Sequence, residues 1–145
     1  MSKSISFILM LLGASHVAVA LDPILTKATA IELVHDALVS QGEVAEGTDV
    51  AIYPIPDYDA PDFITLQAEV PHPREGWIGM KYFSVNPWSG DVWDADCNRI
   101  TSPTIRRKQD QIWKSSKLPD KARPVLQKRT PACTPVTPEP REKKK

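Results

Sequence analysis

An α+β protein is predicted by three features of this 145-residue sequence: an N-terminal helix packed on a small antiparallel β-sheet, a short C-terminal helix and a disordered proline-rich basic tail. Apolar residues recur at helical spacing near the start. One run in the middle alternates strictly between apolar and polar, and after it two apolar ribbons flank a polar turn.

The first twenty residues read as an export signal. Lys3 supplies the positive start, Ile5 to Ala14 is a short apolar run, and Ala18-Val19-Ala20 offers the small residues that precede a cleavage point. The run is well short of the ~20 residues a spanning helix needs, and no second candidate follows. The expected location is therefore periplasmic or secreted, with no membrane span after cleavage. The expected division is a signal at 1–20, a folded α+β domain at 21–116 and a proline-rich basic tail at 117–145.

In "TKATAIELVHDALVSQG", Ile31, Val34 and Leu38 lie on one helical stripe with Ala30 and Ala37 beside them; Thr26 suits the N-cap and Gly42 the stop. Asp49 to Pro56 is extended and rich in β-formers, with Pro54 and Pro56 confining its end to an edge or an exit. From Phe63 to Val70, Ile64, Leu66, Ala68 and Val70 point one way while Phe63, Thr65, Gln67 and Glu69 point the other, as in a half-buried strand. "IGMKYFSV" and "DVWDA" then flank "NPWSG". Asn86 and Pro87 open a turn there and Gly90 takes the positive φ that closes it, so this stretch is first a β-hairpin. Ser102 and Pro103 start a short helix in which Ile105 and Ile112 stand a heptad apart, and Trp113 folds it back onto the body. From Pro119 onward, Pro119, Pro124, Pro131, Pro135, Pro138 and Pro140 with few large apolar residues predict that neither helix nor sheet runs through.

Charge is balanced in total and segregated along the chain. Leu21 to Ile105 holds four basic and fourteen acidic residues, net −10, while Arg106 to Lys145 holds thirteen basic and four acidic, net +9. An acidic body repels phosphates, so no specific nucleic-acid partner is expected. The basic tail is open to nonspecific polyanion contact, to folding back on the body, or to solvation alone.

No catalytic residue is predicted, and the protein is expected not to be an enzyme. Ser89 lies between Trp88 and Gly90 without a neighbouring histidine, and a nucleophilic serine needs a base within hydrogen-bond reach. Of the histidines beyond the signal, His35 borders the helix's apolar stripe and His72 sits in a loop between two prolines. Asp94, Asp96 and Asn98 match the opening ligand positions of a calcium loop, but Arg99 stands where its glycine belongs and Ile105 where its closing glutamate belongs. Two cysteines and two histidines without ligand spacing speak against zinc. No metal and no cofactor is expected.

Cys97 and Cys133 both fall in the exported part, and an even count in an oxidising compartment favours one disulfide between them over free or intermolecular thiols. Such a bridge staples the proline-rich arm to the end of the hairpin. Tryptophans in a small domain are by default core or edge cover. Trp88 at a turn tip is hard to bury locally. An exposed Trp88, with Ser89 and Asp91 beside it, is therefore the expected partner-binding surface, while Asn86, Pro87 and Gly90 shape the turn.

The helix "TKATAIELVHDAL", two strands and the hairpin "YFSVNPWSGDVWD" together resemble the PepSY domain. Val85, Pro87, Ser89, Gly90 and Val92 occupy its V-x-P-x-T-G-x-V pattern, with serine in place of the usual threonine. The resemblance covers roughly residues 26–94 and leaves the final helix and tail unmatched. It implies a non-catalytic module that restrains or modulates a peptidase or another envelope protein, and it carries over no catalytic residue. Two alternatives stand beside it: an exported immunity-type protein that neutralises a toxin, and a weakly calcium- or redox-responsive envelope protein. In each case the partner is expected in the cell envelope, and the oligomeric state is left open.

Overall fold

The computed structural model describes residues 22–55, 62–71, 76 and 78–131. The expected export signal at 1–20, His72, Trp77, Cys133 and the chain beyond Pro131 lie outside the described residues.

Helix α1 (Lys27–Ser40) begins where Thr26 Oγ1 accepts the Thr29 N–H at 3.2 Å. It ends where Gly42, at φ +72°, lets the Gly42 and Glu43 N–H groups return to the carbonyls of Val39 and Leu38. Its buried stripe is Ala30, Leu33, Val34, Ala37 and Leu38. Leu33, absent from the expected stripe, is fully buried, while Ile31 packs only at the margin.

Five strands follow: β1 (Ala51–Pro54), β2 (Ile64–Pro71), β3 (Ile78–Val85), β4 (Val92–Asp94) and β5 (Arg99–Ile100). They form an antiparallel meander in the order β1-β2-β3-β4-β5. The alternation of β2 is realised: Leu66, Ala68 and Val70 pack with Phe83, Val85, Val92 and Ile100 against α1. Each fully buried aliphatic side chain in this cluster contributes about 1.5–3 kcal/mol. The opposite sheet face carries Tyr53, Gln67, Glu69, Met80 and Tyr82.

Helix α2 (Pro103–Ser115) is capped by Ser102 Oγ, which accepts the Ile105 N–H at 3.1 Å, with Pro103 in the first turn. Ile105, Gln109 and Trp113 recur every four residues and form its buried face. Lys108 joins α2 to α1 through Asp36, with Nζ 2.8 Å from Oδ2. Asp36 Oδ2 is buried and takes no well-aligned hydrogen bond, so this ion pair is what offsets its burial.

The expectation that no helix runs through the segment from Pro119 onward is corrected over residues 119–127. A 3-10 turn at Asp120–Ala122 leads into α3 (Arg123–Gln127). Pro119 stands at the cap of the first and Pro124 in the opening turn of the second, where a missing N–H costs no intrahelical bond. Leu126 is buried against Trp88 and Trp113 in a second, smaller cluster. No helix among the described residues is long and apolar enough to cross a membrane.

Burial works against the Lys108 ammonium, yet the proximity and charge of Asp36, with Glu32 beyond it, hold its pKa above the ordinary 10.5. A raised lysine pKa stabilises the fold below the unfolded value, and that contribution is lost as pH rises through the folded one. Lys108→Met is expected to lower stability at pH 7 by up to about 1 kcal/mol and to flatten the loss of stability above pH ~10. Urea unfolding at pH 7 and pH 11 checks both.

Candidate functional site

The turn between β3 and β4 is buried throughout. Asn86 and Asp91 have no exposure, Ser89 keeps 5% and Trp88 keeps 7%. The expectation that Trp88 stands exposed as a contact surface, flanked by an accessible Ser89 and Asp91, is corrected. The helices and the N-terminal segment close over the turn, which sequence-local reasoning treats as a free tip.

Asn86 folds the turn on itself. Its Oδ1 accepts the N–H groups of Trp88 (3.0 Å) and Ser89 (3.2 Å), its N–H donates to Asp91 O (2.8 Å) and its carbonyl accepts the Gly90 N–H (2.9 Å). Its Nδ2 reaches 40 residues along the chain to the carbonyl of Leu126 in α3, at 2.9 Å. The Pro87 carbonyl accepts the N–H groups of Ile24 and Leu25 at 3.0 and 2.9 Å, pinning the segment before α1. Gly90 takes φ +71° where a Cβ would stand 3.3 Å from both Ile112 Cδ1 and Leu33 Cδ1, so close packing and backbone conformation both require glycine.

Asp91 is an internal acceptor. Oδ2 accepts from Ser89 Oγ at 2.8 Å; Oδ1 accepts from Gln109 Nε2 at 3.0 Å and pairs with Arg99, whose side chain is 40% exposed. Three donors replace the water this carboxylate loses on burial. Gln109 also donates to Gly90 O at 3.0 Å. Gln109 and Arg99 were not foreseen as partners of the turn. The spacing of Gln109 from Ile105 and Trp113, four residues to either side, is the sequence signal that places it on the inward face of a helix.

The other candidates are dispersed. Asp94 caps the β4–β5 turn, its Oδ1 accepting the N–H groups of Asp96 (2.9 Å) and Asn98 (2.8 Å). His35 Nε2 donates to the carbonyl of Thr48 at 2.9 Å. Among the described residues no group of three or more His, Cys, Asp or Glu side chains converges as a metal site. No free cysteine occurs among the described residues. Cys133, the partner expected for Cys97, lies outside them.

Four of the exposed large hydrophobic side chains lie on the sheet face that α1 leaves open. Ile78 (58% exposed), Met80 (56%), Tyr53 and Tyr82 (38% each) stand on it. Tyr53 Oη donates to Glu69 Oε1 and accepts from Gln67 Nε2, both at 2.8 Å, and Gln67 Nε2 also meets Met80 Sδ. The hydrogen bond to Glu69 raises the pKa of the Tyr53 hydroxyl. Aromatic and methionine side chains held in a cross-strand row are the composition that protein interfaces favour.

Asp91→Ala is expected to cost about 2–3 kcal/mol in urea unfolding, because it leaves the Ser89 hydroxyl without its acceptor and removes one of the two acceptors of the Gln109 amide inside the fold. Gly90→Ala is expected to cost more than about 1 kcal/mol. A change within about 0.5 kcal/mol, the ordinary surface value, would contradict the structural assignment of the turn.

No family model matches the chain, and no curated protein matches it. Neither comparison supports the PepSY reading; the five residues of its hairpin pattern, Val85, Pro87, Ser89, Gly90 and Val92, are all buried. Among solved structures the chain is similar to a chain in the structure of a type VI secretion system effector-immunity complex from Pseudomonas protegens. The two are 19% identical, with a TM-score of 0.52, over 71% of this chain and 86% of that one. At this identity the likeness is one of fold.

Proposed function

We propose that this protein acts outside the cytoplasm by binding another protein, as an immunity-type module that neutralises an effector. The observation that carries this reading is the fold shared with a chain of an effector-immunity complex over most of that chain's length. The export signal read in residues 1–20 supports a site of action in the envelope. The internal use of Ser89, Asp91 and Asp94 supports binding rather than chemistry, because polar atoms committed to holding a turn are not available to a substrate. In the same reading Cys97 pairs with Cys133 and ties the chain after α3 to the β4–β5 turn, as an oxidising compartment permits.

The test is a pair of measurements on the mature chain from Leu21 onward. Secreted into the periplasm, it is expected to protect cells from one of the candidate effectors encoded by neighbouring genes, tested one by one, and as purified protein to form a one-to-one complex with that effector. Protection without complex formation would contradict binding as the mechanism. Failure of both, or turnover of a substrate by the purified chain, would overturn the reading.

A further inference from the structure

We propose that the partner is held by strand addition: an extended segment of the effector pairs with the edge of β3 at Ile78–Met80. The proposal rests on the protein-binding reading above and assigns it a surface.

The sheet is stepped. β4 ends at Asp94, opposite Phe83, so among the described residues the stretch Ile78–Met80 of β3 has β2 on one side and no strand of the sheet on the other. Backbone direction along this stretch follows from the ladder. The Asn86 N–H donates to Asp91 O across the β4 side. Antiparallel bonding alternates, so the even-numbered residues of β3 aim N–H and C=O toward the β4 side and the odd-numbered ones toward β2. A second bond gives the same phase. Ile55 N–H donates to Thr65 O, which turns the odd residues of β2 to β1 and leaves Leu66, Ala68 and Val70 to bond Phe83, Lys81 and Gly79. Ile78 and Met80 therefore present backbone donors and acceptors at the edge and exposed apolar side chains on the adjoining face.

Proteins commonly guard such an edge with a free lysine, a proline or a bulge. Along Ile78–Tyr82 the one charged residue is Lys81, and Glu43 engages its ammonium. A notch of about 160 Å³ continues the line of the missing strand, lined by Lys81, Tyr82, Asp94 and Asp96 among others. The occupant that fits is an extended segment with alternating apolar residues, to lie along Ile78 and Met80, and a basic residue near Asp96. Its positive charge complements the notch and a body of net charge −10. The chain's own residues 132–145 fit poorly. Pro135, Pro138 and Pro140 withhold ladder donors, and Val136 is the one large aliphatic residue there.

The probe is a synthetic seven-residue peptide of alternating valine and threonine with a lysine at each end, added to the full mature chain. Amide exchange at Ile78 and Met80 is expected to slow at least tenfold, and a backbone N-methylated version of the peptide is expected to do nothing. Met80→Pro removes an edge donor while leaving the bonds to β2, so peptide binding is expected to weaken at least tenfold with amide protection at Leu66 and Ala68 retained. Should that variant not fold, Met80→Lys gives the same loss by guarding the edge. Slowed exchange elsewhere, no slowing at all, or peptide binding indifferent to Met80→Lys overturns the proposal. Protection of Ile78 and Met80 already present without peptide also overturns it, light scattering then assigning the edge to a second copy if dimeric or to the chain's own tail if monomeric. A Met80→Lys chain that loses the peptide yet still protects cells sinks strand addition and leaves the immunity reading standing. Peptide binding without any cellular protection does the reverse.

Discussion

One buried carboxylate organises this molecule. Asp91 has no exposure and keeps its polar atoms satisfied only because Ser89, Gln109 and Arg99 converge on it from its own turn, from α2 and from β5. A carboxylate stripped of water and left with fewer donors would be strongly unfavourable, so those three elements are held to one arrangement. Asn86 extends the constraint to α3 through the Leu126 carbonyl, and Pro87 extends it to the segment before α1. A turn of six residues thus fixes the pieces that a three-residue β4 and a two-residue β5 could not hold by strand pairing alone.

That arrangement separates the buried polar side chains of the hairpin from the exposed apolar ones of the sheet. Polar chemistry concentrated at the hairpin is spent inside the fold, where Trp88 and Trp113 shield it and Arg129 lies 4.6 Å over the Trp88 ring. The sheet face away from α1 is organised differently. Tyr53, Gln67 and Glu69 hold one another in a hydrogen-bonded row, while Ile78 and Met80 stay open to solvent. Among the described residues β4 pairs with β3 over Phe83–Val85 alone, beside an apolar face.

Local patterns were legible wherever one element decides its own geometry. The cap at Thr26, the stop at Gly42, the alternation of Ile64 to Val70, the positive φ of Gly90 and the Ser102-Pro103 start all follow from backbone chemistry within a few residues. Long-range contacts were not legible. Trp88 reads as an exposed tip because its burial depends on Trp113 and Leu126, 25 and 38 positions away. Pro119 and Pro124 read as breakers because sequence alone does not say that each falls at the opening of a short helical turn.

By itself the sequence determined the acidic body and basic end and the α+β class, since these depend on composition and short-range periodicity. Tertiary structure decided which polar residues are consumed and which surface is left. Burial of Asp91 and exposure of Met80 depend on what other parts of the chain cover, and hydropathy along the chain carries no information about coverage from afar.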